Sequence, residues 1–168
     1  IRISAQGARE KQLELLIQAK EALIAYAVTD LKRPGRLLCP NLSGDGISPL
    51  LTRDDCDSYS GFLPWKSLDL AEGTDGTGSM LLYHLSPLFG GDRTTPVLNS
   101  DTETTLRLDL PEGSPSNGIA ALIIAPKGSI DPRNADGNNY FYVGRNDLPG
   151  DDDLVISITR QELMAATE

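Results

Sequence analysis

Residues 36–70 read RLLCPNLSGDGISPLLTRDDCDSYSGFLPWKSLDL, and how this stretch closes decides how the rest of the chain is arranged. It holds both cysteines, Cys39 and Cys56, and the single tryptophan, Trp65. Pro40, Gly44, Asp45, Gly46, Pro49, Asp54 and Asp55 make the interval between the cysteines turn-rich, with Ser43-Gly44-Asp45-Gly46 its tightest turn signal. A disulfide closing such a loop stabilises a fold by roughly 3 kcal/mol, mostly by restricting the unfolded chain. Two cysteines are too few for a disulfide scaffold but enough for one bridge in an oxidising compartment. The alternative is a pair of buried free thiols in a cytosolic protein, which the polar loop around them makes unattractive. Leu63 and Trp65 then alternate with Pro64 and Lys66, as in a short extended segment whose apolar side faces the core, with Trp65 as a core anchor.

Upstream lies the one long helical pattern, from about Ala5 to Ala27. At 100° per residue Leu13, Leu16, Ile17, Leu23, Ile24 and Ala27 fall on one arc, and Glu10, Glu14, Gln18 and Glu21 on a separate polar sector. Leu15, Ala19, Ala22 and Tyr26 widen the apolar region beyond a stripe of ~100°. That flank needs a cover, either a loop folded over it or a neighbouring subunit. Lys20 lies inside the main arc and is expected to snorkel its amine outward. Pro34 and Gly35 end the helix. The basic cluster Lys32, Arg33 and Arg36 is expected to complement the helix dipole.

Downstream the pattern changes to short strands. Met80–Leu85 reads as a strand, and Leu106, Leu108 and Leu110 alternate with Arg107 and Asp109 as a half-buried one. Ile119–Ala125, an apolar run bounded by Gly118 and Pro126, reads as a central strand. Tyr140–Val143 and Leu154–Thr159 follow, the latter with Leu154, Ile156 and Ile158 on one side. Thr159 and Glu162 form a capping-box pair for a short helix from Arg160 to about Ala166. Strands gathered after a helix, without βαβ alternation, indicate an α+β fold: a long amphipathic helix on an antiparallel sheet of four to five strands. The expected layout is one domain over 1–168, with helix 1–28, a connecting loop region 29–79, and the sheet and final helix in 80–168.

Composition narrows the function. The net charge of −9 argues against nucleic acid, whose phosphates need clustered Lys and Arg. No run of eighteen apolar residues is present to span a membrane. The chain begins at Ile1 with no secretion signal, so either it is cytosolic or an export segment lay upstream; the disulfide argument favours export. The Gly-rich turn 73–79, GTDGTGS, matches neither GxGxxG nor GxxxxGK[ST] and has no following Lys, so it does not read as a phosphate cradle. His84, the only histidine, is expected at the surface or rim of a strand, with no motif placing a nucleophile beside it. Adjacent acids such as Asp54 and Asp55 rarely meet the separation needed for acid–base catalysis. Catalysis is therefore not expected.

An amphipathic helix ending in EALIAYA, then RPGRLLCPN, GDG, a second cysteine and GFLPWKSLDL, resembles the type IV pilin-like family, the bacterial pilins and pseudopilins with a prepilin-type N-terminus. NGIAALIIAPKG, NNYFYVG and DDLVISITRQELMAA resemble it further, in the same order. The resemblance implies a pilin-like fold and a hydrophobic half-helix directly upstream of residue 1, cleaved and methylated by a prepilin peptidase. It also implies assembly with other pilin or pseudopilin subunits, anchoring in the inner membrane of a Gram-negative bacterium, and a place facing the periplasm or in an extracellular filament. Two features depart from the family pattern: the long 129–153 region, and cysteines just after the helix rather than near the C-terminus. The flank bearing Leu15, Ala19, Ala22 and Tyr26 is the expected assembly face. Asp147, Asp151, Asp152 and Asp153 form an acidic loop whose hard oxygens suit Ca²⁺; the resemblance adds that major pseudopilins bind calcium in a C-terminal loop. The spacing matches no EF-hand, and no other cofactor is expected. The competing function is a periplasmic or surface binding module, or adhesin, whose Gly- and Asp-rich loops recognise a protein or glycan.

Overall fold

The computed structural model describes residues 5–49, 55–76, 78–91, 97–109, 115–126, 140–142 and 154–168. Helix α1 (Ala5–Val28) is followed by β1 (Ser60–Phe62), β2 (Leu82–Leu85), a 3-10 turn (Pro87–Phe89), β3 (Leu106–Asp109), β4 (Pro115–Ala125), β5 (Tyr140–Tyr142), β6 (Leu154–Thr159) and helix α2 (Arg160–Ala166). The fold is α+β, as the pattern of elements implies.

The sheet is organised on β4. Its outer half pairs with β2 on one edge and β6 on the other, both antiparallel, and its first half pairs with β3. β1 extends the β2 side, antiparallel again. Five strands pair antiparallel, as expected, and a sixth is added: β5 lies on the far edge of β3 and runs parallel to it, Arg107 opposite Tyr140. β3 runs antiparallel to β4, and β5, beside β3, runs in the same sense as β3. β1 also places a strand inside the connecting region 29–79, just before the segment expected to be extended.

An uninterrupted apolar β4 makes sense once both its faces are seen to be buried. Ala121, Ile123 and Ala125 join the main core with Leu16, Ala19, Leu23 and Ala27 of α1, together with Tyr83, Leu85, Ile158 and Leu163. Ile119, Leu122 and Ile124 build a second cluster with Leu106 and Leu108 on the other side. Alanines on both the helix and β4 let the helix axis approach the sheet closely, since dispersion rewards short contacts.

The helix therefore sits differently from its apolar pattern. Its buried stripe runs Gln12, Leu16, Ala19, Leu23 and Ala27, while Leu13 and Ile17 are exposed at 43% and 40%. At 100° per residue this is a rotation of about 60° from the arc drawn on the largest side chains. Lys20 does not end in solvent alone: its amine pairs with Glu162 of α2, tying the two helices together. Thr159 and Glu162 form the expected capping box, the Thr159 hydroxyl accepting from Glu162 N at 3.1 Å. Burial alone would raise the Glu162 carboxyl, but bonds from Lys20 and from the Thr159 backbone, with the Lys20 charge, hold it below its usual range.

Candidate functional site

Cys39 and Cys56 form a disulfide across a sequence separation of 17, with both residues in the core. The loop between them is shaped by Asn41, an almost fully buried amide. Its Oδ1 accepts from Gly44 N at 2.8 Å and Gly46 N at 3.4 Å, while its Nδ2 donates to Asp45 Oδ1 at 2.7 Å and the Ile47 carbonyl at 2.8 Å. Asn41 also exchanges two backbone bonds with Phe62, which ties the loop to β1. A hydrogen bond from Ile47 N, then that from Ser43, outweigh desolvation and lower the Asp45 carboxyl below its usual range.

Trp65 departs from the expected extended segment. Residues 65–69 form a tight turn, Leu70 N donating to the Trp65 carbonyl at 2.9 Å, with Asp69 at a φ of 58°. Its indole is wedged between Gly46 and Gly73, where an added Cβ would come within 2.5 Å and 2.1 Å of the ring. Glycine at these two positions is a packing requirement: no side chain fits beside the ring. Trp65 thus clamps the disulfide loop to the Gly-rich turn, packed against the core but only partly buried, with the Lys66 amine 5.3 Å from the ring centroid.

The basic cluster at the end of α1 serves tertiary contacts more than the helix dipole. Asp30 Oδ1 accepts from the backbone N–H groups of Lys32 and Arg33, and its other oxygen accepts from Arg36 Nε. Arg36 also donates to the Gly91 carbonyl at 2.8 Å, and Arg33, fully buried, directs Nη1 at the Gly90 carbonyl at 3.5 Å. Desolvation would raise the Asp30 carboxyl; the hydrogen bonds from Arg33 and Arg36, and the Arg36 charge, hold it low.

Between this helix end and the disulfide loop lies a groove of about 560 Å³, lined in part by Tyr26, Arg36, Leu37, Cys39, Ile47 and Pro49. Its walls are mostly apolar and it carries one guanidinium. That guanidinium, of Arg36, is already engaged by Asp30 and the Gly91 carbonyl, and the groove holds no nucleophile–base pair.

The residues expected to form one assembly flank are divided. Ala19 is wholly in the core, and Leu15, Ala22 and Tyr26 are half-buried. Leu15 and Ala19 border a smaller hollow of about 170 Å³ whose far wall is Leu70, Ala71 and Glu72, so a loop partly covers this flank. Among the described residues the large apolar side chains left open on α1 are instead Leu13, Ile17 and Val28, and beyond the helix end Leu31 is 96% exposed.

His84 sits on β2 directly opposite Ser60 of β1, with Nδ1 2.9 Å from Ser60 Oγ. A hydroxyl partner for the histidine was invisible in the sequence, because the two residues are 24 positions apart and only the strand register joins them. Burial pushes the imidazole down to about 4, so it is neutral at pH 7. A base so weak is poorly matched to activating a serine, and neither residue lines the groove. The pair reads as a cross-strand hydrogen bond that fastens β1. Asp55 accepts from the Tyr59 hydroxyl at 3.3 Å, whereas Asp54 lies outside the described residues.

The proposed calcium ligands Asp147, Asp151, Asp152 and Asp153 also lie outside the described residues. Among the described residues no group of three or more His, Cys, Asp or Glu is placed to hold a metal ion, and no helix is long and apolar enough to cross a membrane. Comparison of the chain with protein-family models, curated proteins and solved structures finds no match.

Proposed function

We propose that this chain is a structural subunit, the folded domain of a type IV pilin-like or pseudopilin-like protein that assembles with further subunits through α1. The observation supporting this reading is the second apolar stripe on α1. Leu13, Ile17 and Val28 are exposed on a helix whose other side is engaged with the core, and Leu31, just past the helix end, is exposed as well. Isolated exposed apolar residues are ordinary, but Leu13, Ile17 and Val28 fall within about 60° of one another around the helix, and such a stripe is a surface that association would bury. The assembly face is accordingly moved from Leu15, Ala19, Ala22 and Tyr26 to this stripe. The partners, the inner-membrane anchor upstream and the periplasmic or filament location follow from the ordered sequence motifs. Replacing Leu13 and Ile17 together with Glu tests the reading. Both are exposed, so the domain should keep its melting temperature to within the small effects usual for surface sites. Incorporation into filaments should be lost; normal incorporation refutes the interface.

A second reading, a periplasmic or surface binding module, draws on the groove beside the disulfide loop. It predicts that the purified domain binds a protein or glycan ligand and that Ile47→Asp abolishes binding. A domain that assembles normally with Ile47→Asp and binds nothing supports the structural reading instead.

A further inference from the structure

The main-chain directions in the sheet follow from a few hydrogen bonds. Leu85 N donates to the Tyr59 carbonyl and so turns toward β1, whereas Ser86 N donates to the Ala120 carbonyl and turns toward β4. Groups alternate along a strand, so Leu82 and His84 share the direction of Ser86, and their partners Ile124 and Leu122 turn toward β2. Ala121, Ile123 and Ala125 then turn the other way, toward Ile158, Ile156 and Leu154 of β6. The N–H and C=O groups of Val155 and Ser157 are left pointing off the sheet. Thr159 agrees with this parity, since its N–H reaches outward to Glu162 Oε1 at 3.3 Å.

No hydrogen bond among the described residues reaches these outward groups of Val155 and Ser157. Proteins usually guard such an edge with a short strand, a lysine, a proline or a bulge. The other edges follow that practice: β1 and β5 are three residues long, and β1 is bridged by Asn41. β6 does not. It is six residues, LVISIT, with no charge, proline or glycine, and the register shift opposite it falls between Ile119 and Ala121 of β4.

We infer that the outer edge of β6 pairs antiparallel with β6 of a second copy, about a twofold axis at Ile156. This register sets Val155 opposite Ser157 of the other copy, twice, so all four outward groups are used. Symmetry selects the direction: two identical edges close into a dimer about a twofold axis, which runs the two strands antiparallel and leaves no further edge open. The inference is independent of the pilin-like reading, which concerns α1.

Sedimentation or light scattering of the full chain tests it. The expected species at raised concentration has twice the 18.1 kDa of the chain. Ser157→Pro removes an outward N–H while leaving the β4 ladder intact, and should give a folded monomer. A second test does not depend on that variant folding. In this register Ile156 faces itself as a non-hydrogen-bonded pair, whose Cα separation of about 4.5 Å admits a disulfide. Ile156→Cys should yield a covalent dimer on oxidation, and Ile158→Cys, two residues along the same face, should not. A wild-type chain that stays monomeric, a Ser157→Pro chain that still dimerises, or equal cross-linking at 156 and 158 overturns the inference.

Discussion

Replacing Cys39 and Cys56 together with Ala measures what the disulfide contributes. Their separation of 17 gives a loop-closure entropy worth about 3 kcal/mol at 25 °C. The substitution also removes two small sulfur-bearing side chains from the core, where Cys39 is 3% and Cys56 7% exposed. Loss of that packing adds about 1 kcal/mol. For a domain of this length, a total near 4 kcal/mol corresponds to a fall of roughly 8–16 °C in melting temperature. Urea denaturation at neutral pH, fitted with a common slope for both proteins, reads the difference directly, and wild type unfolded with and without reductant isolates the cross-link from the packing. The reduced wild type should lose about 3 kcal/mol and the alanine pair slightly more. If both lose under 1 kcal/mol, the unfolded chain is already constrained in this region, and the entropic argument fails.

Three further outcomes follow from particular groups. Asn41→Ala deprives Gly44 N and Asp45 Oδ1 of their buried partner and should cost about 3 kcal/mol in chemical denaturation, with a lower urea midpoint for the loop-proximal Trp65 fluorescence. Gln12 is buried with its Oε1 lacking a hydrogen-bond partner among the described residues, so Gln12→Leu should raise stability by about 1 kcal/mol; a fall in melting temperature would contradict this. His84 has a folded pKa of about 4 against an ordinary value near 6.5, so between these limits the unfolded chain binds more protons. Stability is therefore full above about 6.5 and should fall by up to about 2 kcal/mol as pH drops from 7 to 5, a slope that His84→Gln should remove. Asp30 and Glu162, whose pKa values are lowered, lose their contributions only as pH falls through the ordinary carboxylate range and below, and so leave that window clear.

Much of the architecture was legible because it depends on local rules. The capping box Thr159–Glu162 needs only residue type and spacing, and alternation at Leu106 and Leu108 or an unbroken run at Ile119–Ala125 signals half-buried and fully buried strands. The parts that were hidden depend on partners remote in sequence. The rotation of α1 depends on alanines of β4 that draw Ala19 and Ala27 inward, so counting large apolar residues misplaced Leu13 and Ile17. Trp65 was legible as an anchor, but its turn is set by contact with Gly46 and Gly73, each distant from it along the chain. The Ser60–His84 pair and the β3–β5 neighbourhood arise from register alone, which a single sequence does not encode locally.

The order of synthesis gives the position of β6 a kinetic meaning. α1 is made first, yet its core face rests on β4 and β6, and its Lys20 awaits Glu162. During translation, a nascent chain that has emerged only as far as Ala125 has β2, β3 and β4 available for pairing, with one long edge of β4 vacant and half the seat of α1 unbuilt. Productive docking of the helix is postponed until residues 154–166 leave the ribosome. Stalling in the interval before them would present an apolar, β-branched edge to the chaperone system, and non-local closure of this kind slows folding relative to a domain whose first helix finds its seat nearby.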